Sequence, residues 1–292
     1  MRKRIHEIHC ELTNQCGLKC LHCSSHSQSG YASINLGLLA EFLYQFNPRN
    51  VRVTFTGGEP FFVEEDNLVA FIEILKGKMT KIEMGFFSSG NLIGGSFLSL
   101  NLAKRIFKAG TNFVYFTFFS HREDIHDSFT GIKGSFSNTI RSFKSVHSAG
   151  MKANVNCVLT SKNINEIEAS YKFYCGLKAT EVRYLKLIKH GRAITNWDEI
   201  SINKEMANLV SQFSSSKNRK RLSFGGFPNI SPCRSNLDGS VCGAGINKLY
   251  VDIYGDLFPC GSCKRNLETK LGTIKGPISE IKESSQFKCF DR

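Results

Sequence analysis

The stretch NQCGLKCLHC, Asn14 to Cys23, decides how the rest of the chain is read. Cys16, Cys20 and Cys23 stand in it as C-x3-C-x2-C. Three thiolates at this spacing suit three corners of a cubic [4Fe–4S] cluster and leave the fourth iron without a protein ligand. A cluster closed by four ligands carries electrons, whereas one with an open iron takes a substrate or cofactor and becomes a candidate catalyst. The competing metal is structural zinc, which prefers paired C-x2-C or Cys and His ligands and closes all four positions. His22 is the obvious fourth ligand, but it is wedged between Cys20 and Cys23 and badly placed to reach the same ion.

Around that stretch, period and punctuation predict repeated β-α units. An extended run from Ile5 to Leu12 leads into the cysteine loop, and a helix follows from Leu36 to Phe46. Strands are expected over Val51–Thr56, Lys81–Ser89, Asn112–Phe119, Met151–Thr160 and Glu181–Ile188. Helices are expected between them over Glu65–Leu75, Phe97–Ala109, Ser135–Gly150 and Asn163–Cys175, the third opening at a Ser135 cap and closing at Gly150. Six strands alternating with helices imply a parallel α/β sheet, a partial (β/α)6 TIM-like barrel or an open wound sheet, with functional groups where strands end. The distinctive residues fall there: the cysteine loop, Gly57-Gly58-Glu59-Pro60, Ser88 to Asn91, Ser120 to Asp124, and His190 to Ala193 follow successive strands, and Asn154 and Asn156 lie on the fifth.

The pattern changes after Arg192. A helix near Lys204 to Phe213 runs into a polar, basic stretch with Lys217, Arg219, Lys220 and Arg221, so one boundary is expected there, giving 1–215 and 216–292. The second part carries Cys233, Cys242, Cys260, Cys263 and Cys289, with short strands turning at Gly255. So short a segment buries little apolar area and suits organisation by a metal.

Composition narrows the class. The 292 residues, 41% hydrophobic and 22% charged, are those of a soluble globular chain, and no run of about 18 apolar residues suggests a membrane span. No apolar segment follows the basic start, so a secretory signal is absent and a cytoplasmic protein is expected. Eleven cysteines in a reducing compartment point to metal or redox chemistry rather than disulfides. A formal charge of +13 favours anionic partners, a flavodoxin- or ferredoxin-type reductant among them. The basic residues are scattered without an aromatic ribbon, which argues against nucleic acid.

C-x3-C-x2-C after a first strand with GGEP after a second resembles the radical S-adenosylmethionine (SAM) superfamily, and the resemblance runs through most of the chain. It implies that Cys16, Cys20 and Cys23 hold the catalytic cluster, whose open iron chelates the methionyl amine and carboxylate of SAM. Reduction then releases methionine and a 5′-deoxyadenosyl radical that abstracts a substrate hydrogen. Gly57, Gly58, Glu59 and Pro60 are implied to approach the cofactor amine. Ser88, Ser89 and Asn91 are implied to contact the cofactor, Ser120 and Asn156 to meet its ribose or carboxylate, and Arg192 to pair with the carboxylate.

The segments His126 to Phe136 and His190 to Ala193 are similar to those of members with cysteine-rich extensions, and Cys242-x12-Gly255-x4-Cys260 resembles the opening of the SPASM and Twitch modules. One auxiliary [4Fe–4S] cluster of Twitch type is implied, with four ligands among Cys233, Cys242, Cys260, Cys263 and Cys289; a zinc site is the alternative. Cys10, Cys157 and Cys175 are expected as structural thiols, Cys157 being the one nearest the expected mouth.

Three functions remain open. The first is a radical SAM oxidoreductase that modifies a ribosomally made peptide by crosslinking, thioether formation or epimerisation. The second is a dehydrogenase or epimerase of a small metabolite such as a sugar or aminoglycoside precursor. The third is no enzyme but an iron–sulfur electron carrier or a zinc-organised binding protein.

Overall fold

A computed structural model of the chain describes residues 5–27, 31–46, 51–215, 221–226 and 244–282. Cys233, Cys242, Cys289 and the basic residues Lys217, Arg219 and Lys220 lie outside the described residues.

Six strands follow the expected order: β1 (Glu7–Thr13), β2 (Arg52–Gly57), β3 (Glu83–Ser88), β4 (Phe113–Thr117), β5 (Lys152–Leu159) and β6 (Val182–Lys186). Each pairs in parallel with the next. The connecting helices are α1 (Leu36–Leu43), α2 (Glu65–Lys78), α3 (Leu100–Ala109), α4 (Glu123–Thr130), α5 (Ser135–Ser148) and α6 (Ile167–Gly176). Two short helices, α7 (Arg192–Thr195) and α8 (Trp197–Ile200), precede α9 (Lys204–Ser215).

The sheet is wider than six strands. Beyond the expected boundary, β7 (Leu222–Gly225) adds in parallel to β6. On the other flank, β8 (Lys248–Val251) adds in parallel to β1. Then β9 (Asp256–Phe258) and β10 (Gly272–Thr273) continue antiparallel, so the order is β10-β9-β8-β1-β2-β3-β4-β5-β6-β7. Eight parallel strands form an α/β barrel wall that stays unpaired between β7 and β8 among the described residues.

Period-two alternation sorts the two faces of this wall. Ile8, Cys10 and Leu12, Val53 and Phe55, Met84 and Phe86, Val114 and Phe116, and Val155 and Cys157 point outward and share one core with Leu68, Ile72, Ile106, Phe143 and Val146 of the helices. Their neighbours point inward and are largely polar: His9 and Glu11, Thr54, Tyr115, Asn154 and Asn156, Arg183. Cys157 therefore faces the helical core, its sulfur 4.0 Å from the Tyr174 hydroxyl, and not the mouth.

The N-terminal end of the barrel is plugged. Arg52 makes a two-pronged ion pair with Glu83 at 2.8 and 3.0 Å and lies over the Phe113 ring. Gly85 leaves the space for that ring, since a Cβ there would sit 2.3 Å from it. Glu181 joins the Tyr115 hydroxyl, Arg183 and Ser223 in a second plug. Access is thus left to the C-terminal strand ends, where loops carry function in such barrels.

The segment after β4 runs into α4, which begins at Glu123. One local expectation changes. Ser135 is the first residue of α5 and not its cap. The Asp127 carboxylate caps that helix, accepting from Gly134 N–H at 2.5 Å, Phe136 N–H at 2.8 Å and the Ser135 hydroxyl at 2.8 Å.

Candidate active site

The cysteine loop leaves β1 and crosses the open end of the barrel. Beneath it sits a small second core of Phe119, Phe129, Val158, Leu187, Ala193 and Ile200, on which Cys20 and Leu21 pack. Phe119 and Phe129 stack at 4.2 Å, and the His22 ring meets Phe119 edge-on at 4.9 Å. His22 is turned into this aromatic layer, where burial lowers its pKa to about 4 and leaves it neutral. The N–H groups of Lys19 and Leu21 donate to the carbonyls of Thr130 and Phe129, tying the loop to the end of α4.

Cys16, Cys20 and Cys23 are half-buried. Burial first, then Glu59 and Cys23, pushes Cys16 up to about 12; burial, then Cys16 and Cys23, raises Cys20 well above the usual thiol value. Cys16 and Cys20 so placed resist ionisation until a cation joins them, and the irons of a cluster would supply that charge. The Leu18 N–H donates to the Cys16 sulfur at 3.4 Å, and the Ser27 hydroxyl lies 3.6 Å from that of Cys23. Among the described residues no three His, Cys, Asp or Glu groups converge as the shell of a single ion.

The GGEP loop is locked to the residues just ahead of Cys16. Gly58 and Glu59 N–H groups donate to the carbonyls of Thr13 and Gln15, both at 2.7 Å. A Cβ on Gly57, whose φ is +126°, would lie 2.3 Å from the Thr13 oxygen, and one on Gly58 would lie 2.1 Å from that of Gln15. The close approach that needs glycine is thus between the two loops themselves. The Glu59 side chain is fully buried, accepting from the Ser88 hydroxyl at 2.7 Å and from the Ser89 N–H and hydroxyl at 2.8 and 2.6 Å. Burial raises its pKa and these donors partly offset the shift. Pro60 opens a short 3-10 turn behind it.

Asn91 is absorbed in packing, its amide donating to Ser89 and Ser135 carbonyls and the Thr139 hydroxyl. Ser120 is buried, its oxygen accepting from the Arg122 N–H at 3.0 Å and lying 3.5 Å from Glu166. Asn156 does face the lumen: it is 5% exposed and its carboxamide oxygen has no partner. One rung deeper on β5, Asn154 repeats the feature at 3% exposure.

Arg192 grips the cysteine loop from the far side. Its Nε donates to the Cys20 carbonyl at 2.9 Å, its Nη1 to the Ser27 carbonyl at 2.7 Å, and its backbone N–H to the Cys23 carbonyl at 3.0 Å. His190 meets the Ser24 carbonyl at 2.9 Å and Asn196 donates to that of Leu21 at 3.0 Å. Gly191, at φ +58°, is held so close that a Cβ would lie 2.3 Å from the Cys23 oxygen. The HGRA segment therefore shapes the loop and brings a fixed positive charge beside the thiols.

In the C-terminal segment the sulfurs of Cys260 and Cys263 are 3.8 Å apart. Two thiolates bound at about 2.3 Å to one tetrahedral ion stand about that far apart, closer than two corners of a cubane. The Cys263 hydrogen bond, ahead of the opposing effect of burial, lowers Cys260 to about 6. Cys263 is 8% exposed.

A family model described as the radical SAM superfamily matches residues 10–174, more than half of the chain. The chain belongs to the radical SAM superfamily. It is 27% identical over 276 residues to the antilisterial bacteriocin subtilosin biosynthesis protein AlbA of Bacillus subtilis, covering 90% of this chain and 56% of that one. It is 23% identical over 301 residues to the AdoMet-dependent heme synthase of Oleidesulfovibrio alaskensis, covering 95% and 74%. Its fold matches Streptococcus suis SuiB bound to the precursor peptide SuiA with a TM-score of 0.72 at 16% identity, over 97% of this chain and 66% of that one. The chain thus spans little more than half of AlbA and just under two thirds of SuiB. Among the described residues no helix is long and apolar enough to cross a membrane.

Sequence reasoning brought out the cysteine, GGEP and HGRA segments that the fold gathers at one mouth. It missed Glu11, Asn196, Tyr250 and Lys264. Only Glu11 left a local signal, as an acid inside an apolar alternation.

Proposed function

We propose that this radical SAM enzyme modifies a ribosomally made peptide, by crosslinking, thioether formation or epimerisation. The observation that carries the reading is the pair Asn154 and Asn156. Two buried carboxamides one rung apart, with unpartnered oxygens facing the lumen, call for ligand donors. Hydroxyls of the cofactor and N–H donors of an extended peptide entering from the mouth are groups that would satisfy them. The names of AlbA, a bacteriocin biosynthesis protein, and of SuiB, bound to a precursor peptide, support the same class.

The cluster held by Cys16, Cys20 and Cys23, once reduced, would supply homolysis of the SAM carbon–sulfur bond. The protein's own part is to fix that loop through Arg192, His190 and the GGEP contact, and to exclude water with the Phe119–Phe129 layer. An auxiliary [4Fe–4S] cluster in the C-terminal segment would take Cys260 as a ligand, with the Cys263 thiol donating to it, and Cys233, Cys242 and Cys289 as the remaining candidates. The charge of +13 suits an acidic flavodoxin- or ferredoxin-type reductant.

A small-metabolite substrate is the second reading, favoured by the heme synthase relative that spans nearly the whole chain. Anaerobic reconstitution separates the readings. Formation of 5′-deoxyadenosine that rises with a candidate peptide, together with a mass change in that peptide, supports the first. Stimulation by small molecules and by none of the peptides encoded nearby would overturn it. Replacing Cys16, Cys20 and Cys23 with Ala should abolish 5′-deoxyadenosine. About four irons lost on Cys260→Ala supports the auxiliary cluster, and unchanged iron removes it.

A further inference from the structure

A buried Glu11–Lys264 ion pair, with the exposed Arg265 at its rim, joins the C-terminal segment to the cysteine loop. Glu11 on β1 is fully buried and Lys264 is 2% exposed. The Lys264 ammonium donates to Glu11 Oε1 at 3.1 Å and to the Ser25 hydroxyl at 2.5 Å, and lies 3.5 Å from the Tyr250 hydroxyl. Tyr250 and Ser25 hydroxyls also donate to Glu11 Oε1, at 2.7 and 3.1 Å. The Ile253 N–H donates to Oε2 at 3.3 Å, and Arg265 Nη2 lies 3.8 Å from it. Arg265 Nη1 donates to the Ser25 carbonyl at 2.9 Å.

A buried ion pair is a poor stabiliser, because desolvation consumes most of its attraction; what such a pair supplies is a fixed geometry. Here the geometry converges on Ser25, two residues beyond Cys23. Lys264 holds its hydroxyl and Arg265 its carbonyl, while Arg192 and His190 hold the carbonyls of Cys23, Ser24 and Ser27 from the other side. The segment 23–27 is clasped between the barrel and the C-terminal segment.

We propose that Lys264 is a positioning residue for the catalytic loop: through Ser25 and Glu11 it sets the pose of Cys23 and so how the loop presents its cluster corner to SAM. This rests on the radical SAM function of the triplet. The C-terminal segment is on this account part of the SAM-cleaving apparatus, whatever substrate it also serves.

The test compares the parent chain with Lys264→Met and with Glu11→Gln/Lys264→Met. The single change strands a buried carboxylate and is free to misfold; the double change leaves no buried charge unpaired, since Arg265, which loses Glu11, is exposed. In apo protein, amide exchange of residues 19–27 should speed up about tenfold in the double variant while β4 and β5 keep their protection. After reconstitution, KM for SAM should rise about tenfold with a smaller change in kcat, and the shift of the reduced cluster's EPR signal on adding SAM should differ from the parent's. Parental exchange in residues 19–27 overturns the proposal, and so does uniform loosening of the whole barrel. A parent chain that fails to cleave SAM overturns the functional reading instead, and the exchange experiment still decides the clasp.

Discussion

Replacing Gly58 with Ala tests whether the GGEP loop and the cysteine loop are one body. The added Cβ would stand 2.1 Å from the Gln15 oxygen, 2.6 Å from its carbonyl carbon and 2.8 Å from that of Asn14, all backbone atoms that no rotamer change can move. Ordinary contact begins near 3.4 Å, so the two segments must part by more than 1 Å. The hydrogen bonds from Gly58 to Thr13 and Glu59 to Gln15, now 2.7 Å each, would pass out of bonding range. Stranding buried backbone groups costs about 1–3 kcal/mol each, so Gly58→Ala should destabilise by about 2–5 kcal/mol. Gly77→Ala is the matched control. It sits in α2 with nothing within 4 Å of the new Cβ, and should stabilise by about 0.5–1 kcal/mol through helix propensity. Urea unfolding of the apo chains gives both values, and iron content after reconstitution reports on the loop. If Gly58→Ala unfolds at the parent's midpoint and loads full iron, the loops do not depend on each other and the reasoning fails.

Three further outcomes are expected. His126 is 1% exposed, accepts from the Phe119 N–H at 3.3 Å and is held by burial at a pKa of about 4, below its usual 6.5. Its neutral form is therefore the folded one: stability is full above pH 6.5 and falls by about 3 kcal/mol toward pH 4 as the unfolded state takes the proton. His126→Gln should remove that contribution in urea titrations at several pH values, leaving a separate one from His22, whose pKa burial also lowers to about 4. Glu59→Ala should cost about 3–5 kcal/mol by stranding the Ser88 hydroxyl and both Ser89 donors, whereas Glu59→Gln, which keeps an acceptor, should cost less in the same unfolding assay. Asp127→Ala removes the cap of α5 and should cost about 1–2 kcal/mol, measured by thermal melting with Asp127→Asn as the milder comparison.

The alternation of strands and helices made β1 to β6 legible, because each element's period is written in its own residues. Of the two outer parallel strands, β7 was not, and β8 was expected only as a short strand before Gly255, without its place in the sheet. β7 is four residues of ordinary composition, and β8 belongs beside β1 for reasons no local pattern holds. The site divides in the same way. The cysteines, GGEP and HGRA stand out as motifs, but their uses came from packing. Gly57 and Gly58 admit a neighbouring backbone, Glu59 turns inward to two serines, and Arg192 spends its nitrogens on loop carbonyls. Ser135 has the sequence of a cap, yet the preceding helix brings a stronger acceptor in Asp127. Lys264 follows a C-x2-C that takes the reader's eye, and nothing nearby announces a partner on the first strand.

The pairing of β8 with β1 bears on the order of events during synthesis. Glu11 leaves the ribosome 239 residues ahead of Tyr250, whose hydroxyl binds it. At about 5–20 residues per second the interval is tens of seconds. Throughout it one flank of β1 lacks its neighbour and Ser25 lacks its clasp. Strands β1 to β6 close early through nearest-neighbour pairings, while the cysteine loop gains its last fixed contacts only when the C-terminal segment arrives. Metal loading at the triplet would thereby be timed to the arrival of the C-terminal segment, and a product cut short before it would expose three loosely held thiols to oxygen.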